Sequence, residues 1–208
     1  MKGAFPLLVA THLGAVGVGW AITDKRPVDT EVKSEGFFRV DTSRVLATTV
    51  ESLRSENKLQ VFSYKGTAKV ETERSKWWFF GGRQELIVPA VVHYYVDLSE
   101  LTLADVTFNE TQKLVTVRVP KVTMGDIAFQ PENATTINGG ILTWDDDQVE
   151  ELRKLNYSLA RKSMVAQAQQ PGLLNTARRQ AVENVQSYFE IPLRIAGQPD
   201  VKVVATFR

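Results

Sequence analysis

The chain has two histidines, His12 and His93, far apart in sequence, and no cysteine. Thiolate nucleophiles, disulfides, cysteine-ligated zinc and iron–sulfur clusters are therefore excluded. A histidine-rich metal centre, or a triad drawn from neighbouring motifs, is not expected. Three places hold groups that could do chemistry. Asp145-Asp146-Asp147 could collect a divalent cation through oxygen ligands, but it lacks the spacing and glycine of a calcium loop. Carboxylates in a first helical turn also meet the helix dipole favourably, and that is the reading taken. Asp97 and Ser99 lie just past a strand end, where loops often carry function. No base stands near Ser99, however, and an Asp-Leu-Ser turn works as a simple cap. His93 shares a strand face with Val91 and Tyr95 and reads as a core or surface histidine rather than a general base. An enzyme would need Asp97, His93 and an acidic partner in one cleft. The expectation is therefore no enzyme, with no catalytic residue, cofactor or metal.

One stretch has no ordinary role. Trp77, Trp78, Phe79 and Phe80 run together before Gly81-Gly82, flanked by Arg74, Lys76 and Arg83. Successive strand side chains alternate faces, so four consecutive aromatics cannot all point inward. Some must cover a second surface: another element, the bilayer interface or a partner. Tryptophans beside basic residues suit a headgroup region, so these four are candidate membrane or partner contacts.

The N-terminus predicts a membrane anchor. No residue from Gly3 to Thr23 carries a formal charge if His12 is neutral. As a helix this segment spans roughly 31 Å, about one hydrocarbon core. Pro6 sits near the start, where a missing N–H costs little, and Trp20 falls at the interfacial level. A cleaved signal peptide would need a shorter apolar core, although Gly19-Trp20-Ala21 is a passable cleavage site. Ala10, Gly14, Gly17 and Ala21 line one stripe, with Ala15 and Gly19 beside it, and such a seam lets another helix approach closely. His12, near mid-depth, is a candidate axial ligand to a haem or chlorin. The plainer reading, which we prefer, is a neutral imidazole bonded to a neighbouring helix. Lys25 and Arg26 favour an inside domain, whereas the Met-Lys start reads as a signal anchor with the domain outside. We take the domain as periplasmic, on a single-pass protein of a bacterial inner membrane.

The rest of the chain must supply a domain. Its 25 basic residues nearly cancel 24 acidic ones, so no global field recruits nucleic acid. The pattern divides into an anchor at 1–23, a tether at 24–40 and a single α+β domain at 41–208. Thr42 to Arg54 is helical by spacing, with Val45, Thr49 and Leu53 inward beside Leu46 and Val50, and Asp41, Thr42 or Ser43 as cap. Strands are predicted over 59–64, 67–70 and 86–96, where Pro89 forces an edge, bulge or break. A hairpin joins 103–108 to 114–119 around residues 109–113, with Val115, Val117 and Val119 on the buried face. After a capping signature at 143–146, Val149, Leu152, Leu155 and Leu159 trace a helical face. Pro171-Gly172 interrupts, and a second helix turns Leu173, Leu174, Ala177, Ala181 and Val185 inward. Strands at 191–195 and 201–207 close the chain as a pair. The class is α+β: a mixed or mostly antiparallel sheet packed with two C-terminal helices, preceded by one transmembrane helix.

The order of certain short motifs resembles the domain of unknown function 4230 family. The residues that carry it are Val88-Pro89, then Val96 to Ser99 with Leu101 and Asp105-Val106, then Val117 to Pro120 and Ile127. At the C-terminal end they are Leu173-Leu174 with Ala177 and Ala181, and Val201, Val203 and Phe207. The resemblance covers roughly residues 45 to 208. It implies an anchored compact domain of bacterial origin and supplies no activity. One departure is Tyr95, which stands where a glycine is expected.

These readings lead to a non-enzymatic accessory or scaffold subunit that packs its anchor against a larger membrane protein complex, respiratory or photosynthetic for example. Its partners are other membrane proteins and the lipid bilayer. The competing expectation is a membrane-tethered ligand- or lipid-binding domain, with a cavity lined by Tyr94, Tyr95 and the helix faces.

Overall fold

A computed structural model of the chain describes residues 41–75, 81–140 and 146–208. Asp41 caps α1 (Thr42–Ser55) by accepting the Ser43 amide at 2.9 Å, which satisfies one orphan donor of the first turn. Leu46, Thr49, Val50 and Leu53 are its buried face, as the spacing predicts. Asn57, left-handed at φ 59°, ends the helix and starts β1 (Lys58–Ser75). The two predicted strands are thus one. It pairs along its length with β2 (Gly81–Asp97), from Lys58 opposite Asp97 to Ser75 opposite Gly81, with one bulge between Gln60 and Phe62.

Strand β2 is central and runs through Pro89 unbroken, contrary to the expected interruption. The reason lies on its other edge. There β5 (Val122–Phe129) pairs as far as Ala90, and β6 (Thr135–Gly140) begins pairing at Ile87. Pro89 falls at the changeover, where its carbonyl accepts the Gln130 amide at 2.9 Å. Its nitrogen points to the same edge, where no strand residue stands opposite, so the absent N–H breaks no ladder bond.

A second sheet forms from β3 (Val106–Asn109), β4 (Leu114–Val119) and β7 (Lys202–Phe207). The β3–β4 hairpin is antiparallel, as expected, but Leu103–Asp105 is a 3-10 turn before it rather than part of the strand. Val115, Val117 and Val119 are fully buried. Strand β7 pairs with β4, in parallel. It cannot pair with 191–195, because those residues continue a helix.

That helix is α3 (Pro171–Ile195), which follows α2 (Asp146–Ala168). Ala177, Ala181, Val185, Phe189 and Leu193 recur at every fourth position and all are buried. This stripe carries the helical period through Pro192, which removes only the bond to the carbonyl four residues back. Past Ile195, Gly197 at φ 79° closes a Schellman motif. The Gln198 amide reaches the Leu193 carbonyl at 2.9 Å, and the Gly197 amide reaches Arg194 at 3.1 Å.

In α2 the inward face is rotated from the one expected. Leu155 is 49% exposed, while Leu152, Asn156, Ala160, Met164 and Ala168 are buried. A polar residue takes the leucine's place because its amide is fully satisfied. The Thr72 hydroxyl donates to Asn156 Oδ1 at 3.0 Å, and Asn156 Nδ2 donates to Gln84 Oε1 at 2.8 Å. Gln84 Nε2 continues the chain to Asn138 Oδ1 at 3.0 Å. Four elements are stitched together there.

The class is α+β, with a four-stranded antiparallel sheet, a three-stranded mixed sheet and two C-terminal helices. One continuous buried core joins both sheets to the three helices. Among the described residues no helix is long and apolar enough to cross a membrane. The expected anchor and tether, residues 1–40, lie outside the described residues.

A second polar knot fixes the last strand. Asp105 Oδ2 accepts from the Thr102 amide and hydroxyl at 3.0 and 2.7 Å and from Arg208 Nη2 at 2.8 Å. Arg118 stands 3.4 Å from its other oxygen. Burial works against the charged form, but the Thr102 and Arg208 donors outweigh it and hold the carboxyl below its ordinary value. A carboxyl lowered by folding adds stability above its unfolded value, near 4, and that stability is lost as pH falls through the folded value. Asp105→Asn is expected to melt about 1–2 kcal/mol less stable than the parent at pH 7, discounted for the half-exposed arginines. The gap should narrow as pH falls from about 4, the unfolded value, toward the lower folded value. Paired thermal melts from pH 7 to 3 check this.

Candidate functional surfaces

Several sequence-stated candidates lie outside the described residues: Ala10, His12, Gly14, Gly17, Trp20 and Ala21, then Trp77, Trp78, Phe79 and Phe80, and Asp145. Asp146 opens α2 and Asp147 follows it, exposed. Among the described residues no three metal-capable side chains gather.

Asp97 and Ser99 are resolved as a cap. The Ser99 amide and hydroxyl donate to Asp97 Oδ1 at 3.0 and 2.5 Å, opening the 3-10 turn Leu98–Glu100. The Ser99 hydroxyl is the main reason the Asp97 carboxyl sits below its ordinary value. His93 lies on the same face of β2, four residues away, or about 13 Å along a strand. The two do not converge. Arg161, Lys162, Arg178 and Arg179 are all exposed, on the solvated sides of their helices.

Tyr94 faces the helices. It is fully buried, and its hydroxyl donates to the Ala168 carbonyl at 2.6 Å. Space for a cavity there is taken by the ring. Tyr95 faces the other way, and the glycine expected at its position is supplied across the ladder. A Cβ on Gly125 of β5 would come within 2.7 Å of the Tyr95 ring, so the bare glycine backbone is what seats it.

Tyr95 belongs to the larger of two unusual surfaces. Strand alternation sends Leu86, Val88, Ala90, Val92, Tyr94 and Val96 into the core, all buried. Ile87, Pro89, Val91, His93 and Tyr95 therefore line the opposite face, and all are only partly covered. Ile137 of β6, beside Glu85 in the register, extends the strip at 51% exposure. Lys58, Ser63, Lys65 and Lys69 flank it from β1. His93 Nδ1 lies here, buried and, among the described residues, without a hydrogen-bond partner. Sequence reading placed His93, Val91 and Tyr95 on one face. It missed that this face is the one turned away from α2 and α3, since helix placement is a non-local fact.

The smaller surface is a groove of about 480 Å³ between α1 and α3, lined by Val45, Thr49, Leu53, Tyr188 and Pro192 with Arg44 at its rim. Sequence reading missed it because residues 191–195 read as strand, which puts Pro192 on a different element from α1's partner.

Neither the curated proteins nor the solved structures contain a match to this chain. Residues 51–202, from within α1 to the first residue of β7, match the family described as Protein of unknown function (DUF4230). The match takes in the four-stranded sheet, the β3–β4 hairpin and both C-terminal helices, and the chain belongs to that family.

Proposed function

We propose that this chain is a non-enzymatic accessory or scaffold subunit of a larger membrane protein complex, a respiratory or photosynthetic assembly being one such setting. In this reading residues 1–23 are a single-pass anchor in a bacterial inner membrane, 24–40 a tether, and the domain stands on the periplasmic side. The observation that carries it is the half-buried outward face of β2, turned away from the core. An apolar strip centred on Val91, rimmed by lysines, has the anatomy of a protein interface with an apolar centre and a polar rim. The stripe of Ala10, Gly14, Gly17 and Ala21 supports a second contact within the bilayer, and the aromatic run 77–80 offers further partner or membrane contact.

The alternative, a tethered ligand- or lipid-binding domain, needs room beside Tyr94 and Tyr95. The buried Tyr94 ring and the Tyr95–Gly125 packing count against it.

Photo-crosslinkers placed one at a time at Gly14, Gly17 and Val91 in native membranes test the reading. The expected result is adducts from all three positions to subunits of one complex. Self-adducts only, or none, would sink it.

A further inference from the structure

The end of α3 carries apolar side chains that neither sheet covers. Tyr188, Ile191 and Ile195 are 44%, 55% and 82% exposed, the last more than any other large hydrophobic among the described residues. They recur at i, i+3 and i+7, one strip of the helix, beside the groove floored by Val45 and Leu53. Two cations frame this strip. Arg44 stands on the groove rim and Arg194 lies one residue from Ile195; both are exposed, and neither has an ion-pair partner among the described residues. Of the acidic groups near this end, Asp41 already accepts the Ser43 amide, while Glu190, beside Ile191, is half-buried. Isoleucines, a tyrosine and unpaired arginines are what a helix lying at a headgroup region presents.

Position agrees with composition. Asp41, Thr42 and Ser43 share the walls of one cleft with Gln198, so the end of α3 lies beside residue 41. On the tether reading, residues 24–40 as a coil would span about 23 Å on average. A domain joined through it to a bilayer segment stays within reach of that surface.

Resting on the anchored reading above, we propose that the α1–α3 rim lies on the anionic surface of the bilayer. Ile191 and Ile195 enter the boundary between headgroups and acyl chains, Tyr188 sits at headgroup level, and Arg44 and Arg194 pair with lipid phosphates.

The absence of native cysteine allows single nitroxide labels on the full chain in vesicles of phosphatidylglycerol and phosphatidylethanolamine. Labels at Ile191→Cys, Ile195→Cys and Gly14→Cys are read by power saturation against oxygen and a water-soluble nickel chelate. At 191 and 195 high oxygen access with low nickel access is expected, the signature of lipid. Adding Arg44→Gln and Arg194→Gln should lower the docked-to-undocked ratio roughly 5-fold per charge removed. High nickel access at 191 and 195, with Gly14 in lipid, overturns docking and leaves the anchor standing. Low access to both reagents there also overturns it, in favour of protein cover by a second copy or another segment. Nickel access at all three positions overturns docking and anchor together.

Discussion

Phe189→Ala is expected to lower stability by about 3–5 kcal/mol, the range for truncating a fully buried phenylalanine. The ring lies at zero exposure near the C-terminal end of the stripe from Ala177 to Leu193. Helix α3 packs through that stripe on β1, β7 and α1, so the void would open where helices and both sheets share one core. For a domain of this size the melting temperature should drop by about 10–15 °C. Phe189→Leu, which keeps most of the volume, should cost about 1–1.5 kcal/mol. Urea titrations of the three proteins measure both differences. A loss below about 1 kcal/mol for the alanine variant would mean that the helix stops short of Pro192 and that residue 189 is not in the core.

Asn156→Leu should cost about 2–3 kcal/mol, although leucine is the more hydrophobic residue. Removing the amide leaves the Gln84 oxygen and the Thr72 hydroxyl buried without their partner, and an unmet buried polar group costs more than a made bond returns. Thr72→Val alone loses one neutral hydrogen bond, about 1 kcal/mol. The double variant removes two partners at once, so its loss should be about 1 kcal/mol smaller than the sum of the singles. Strict additivity in this cycle would contradict the buried relay.

Much of this architecture was legible where local chemistry and period agree. Residues 42–54 pair an Asp41 cap with apolar spacing of three and four, and α1 forms there. Val115, Val117 and Val119 alternate with polar residues about a turn, and the β3–β4 hairpin follows. The failures share a cause, which is that long-range packing outweighs local preference. Ile191 and Ile195 are β-branched and Pro192 disfavours a helix interior, so residues 191–195 read as strand. The stripe ending in Phe189 and Leu193 holds them in α3 instead. Leu155 reads inward by its spacing with Val149, Leu152 and Leu159, and only partners 72 and 84 residues away make Asn156 the buried one. Pro89 looked disruptive because the changeover from β5 to β6 opposite it is invisible from the strand itself.

The candidate surfaces divide in the same way. Asp97 and Ser99 revealed their capping role locally, through a two-residue spacing that matches the observed bonds. The shared face of Val91, His93 and Tyr95 followed from alternation, but that it is the outward face depends on where α2 and α3 pack. The seat of the Tyr95 ring depends on Gly125, thirty residues on and across the ladder, so the departure at Tyr95 acquires its compensation only in three dimensions.

The central claim, an anchored accessory subunit held in a larger membrane assembly, is tested most directly by excising the full chain from native membranes in polymer-bounded nanodiscs. Native mass spectrometry then gives the composition of each disc. The account predicts discs in which this chain occurs in fixed ratio with other membrane subunits, and loss of those subunits when Val91→Lys is combined with Gly14→Leu and Gly17→Leu. Discs that hold this chain alone, or the same company with the triple variant, would contradict it.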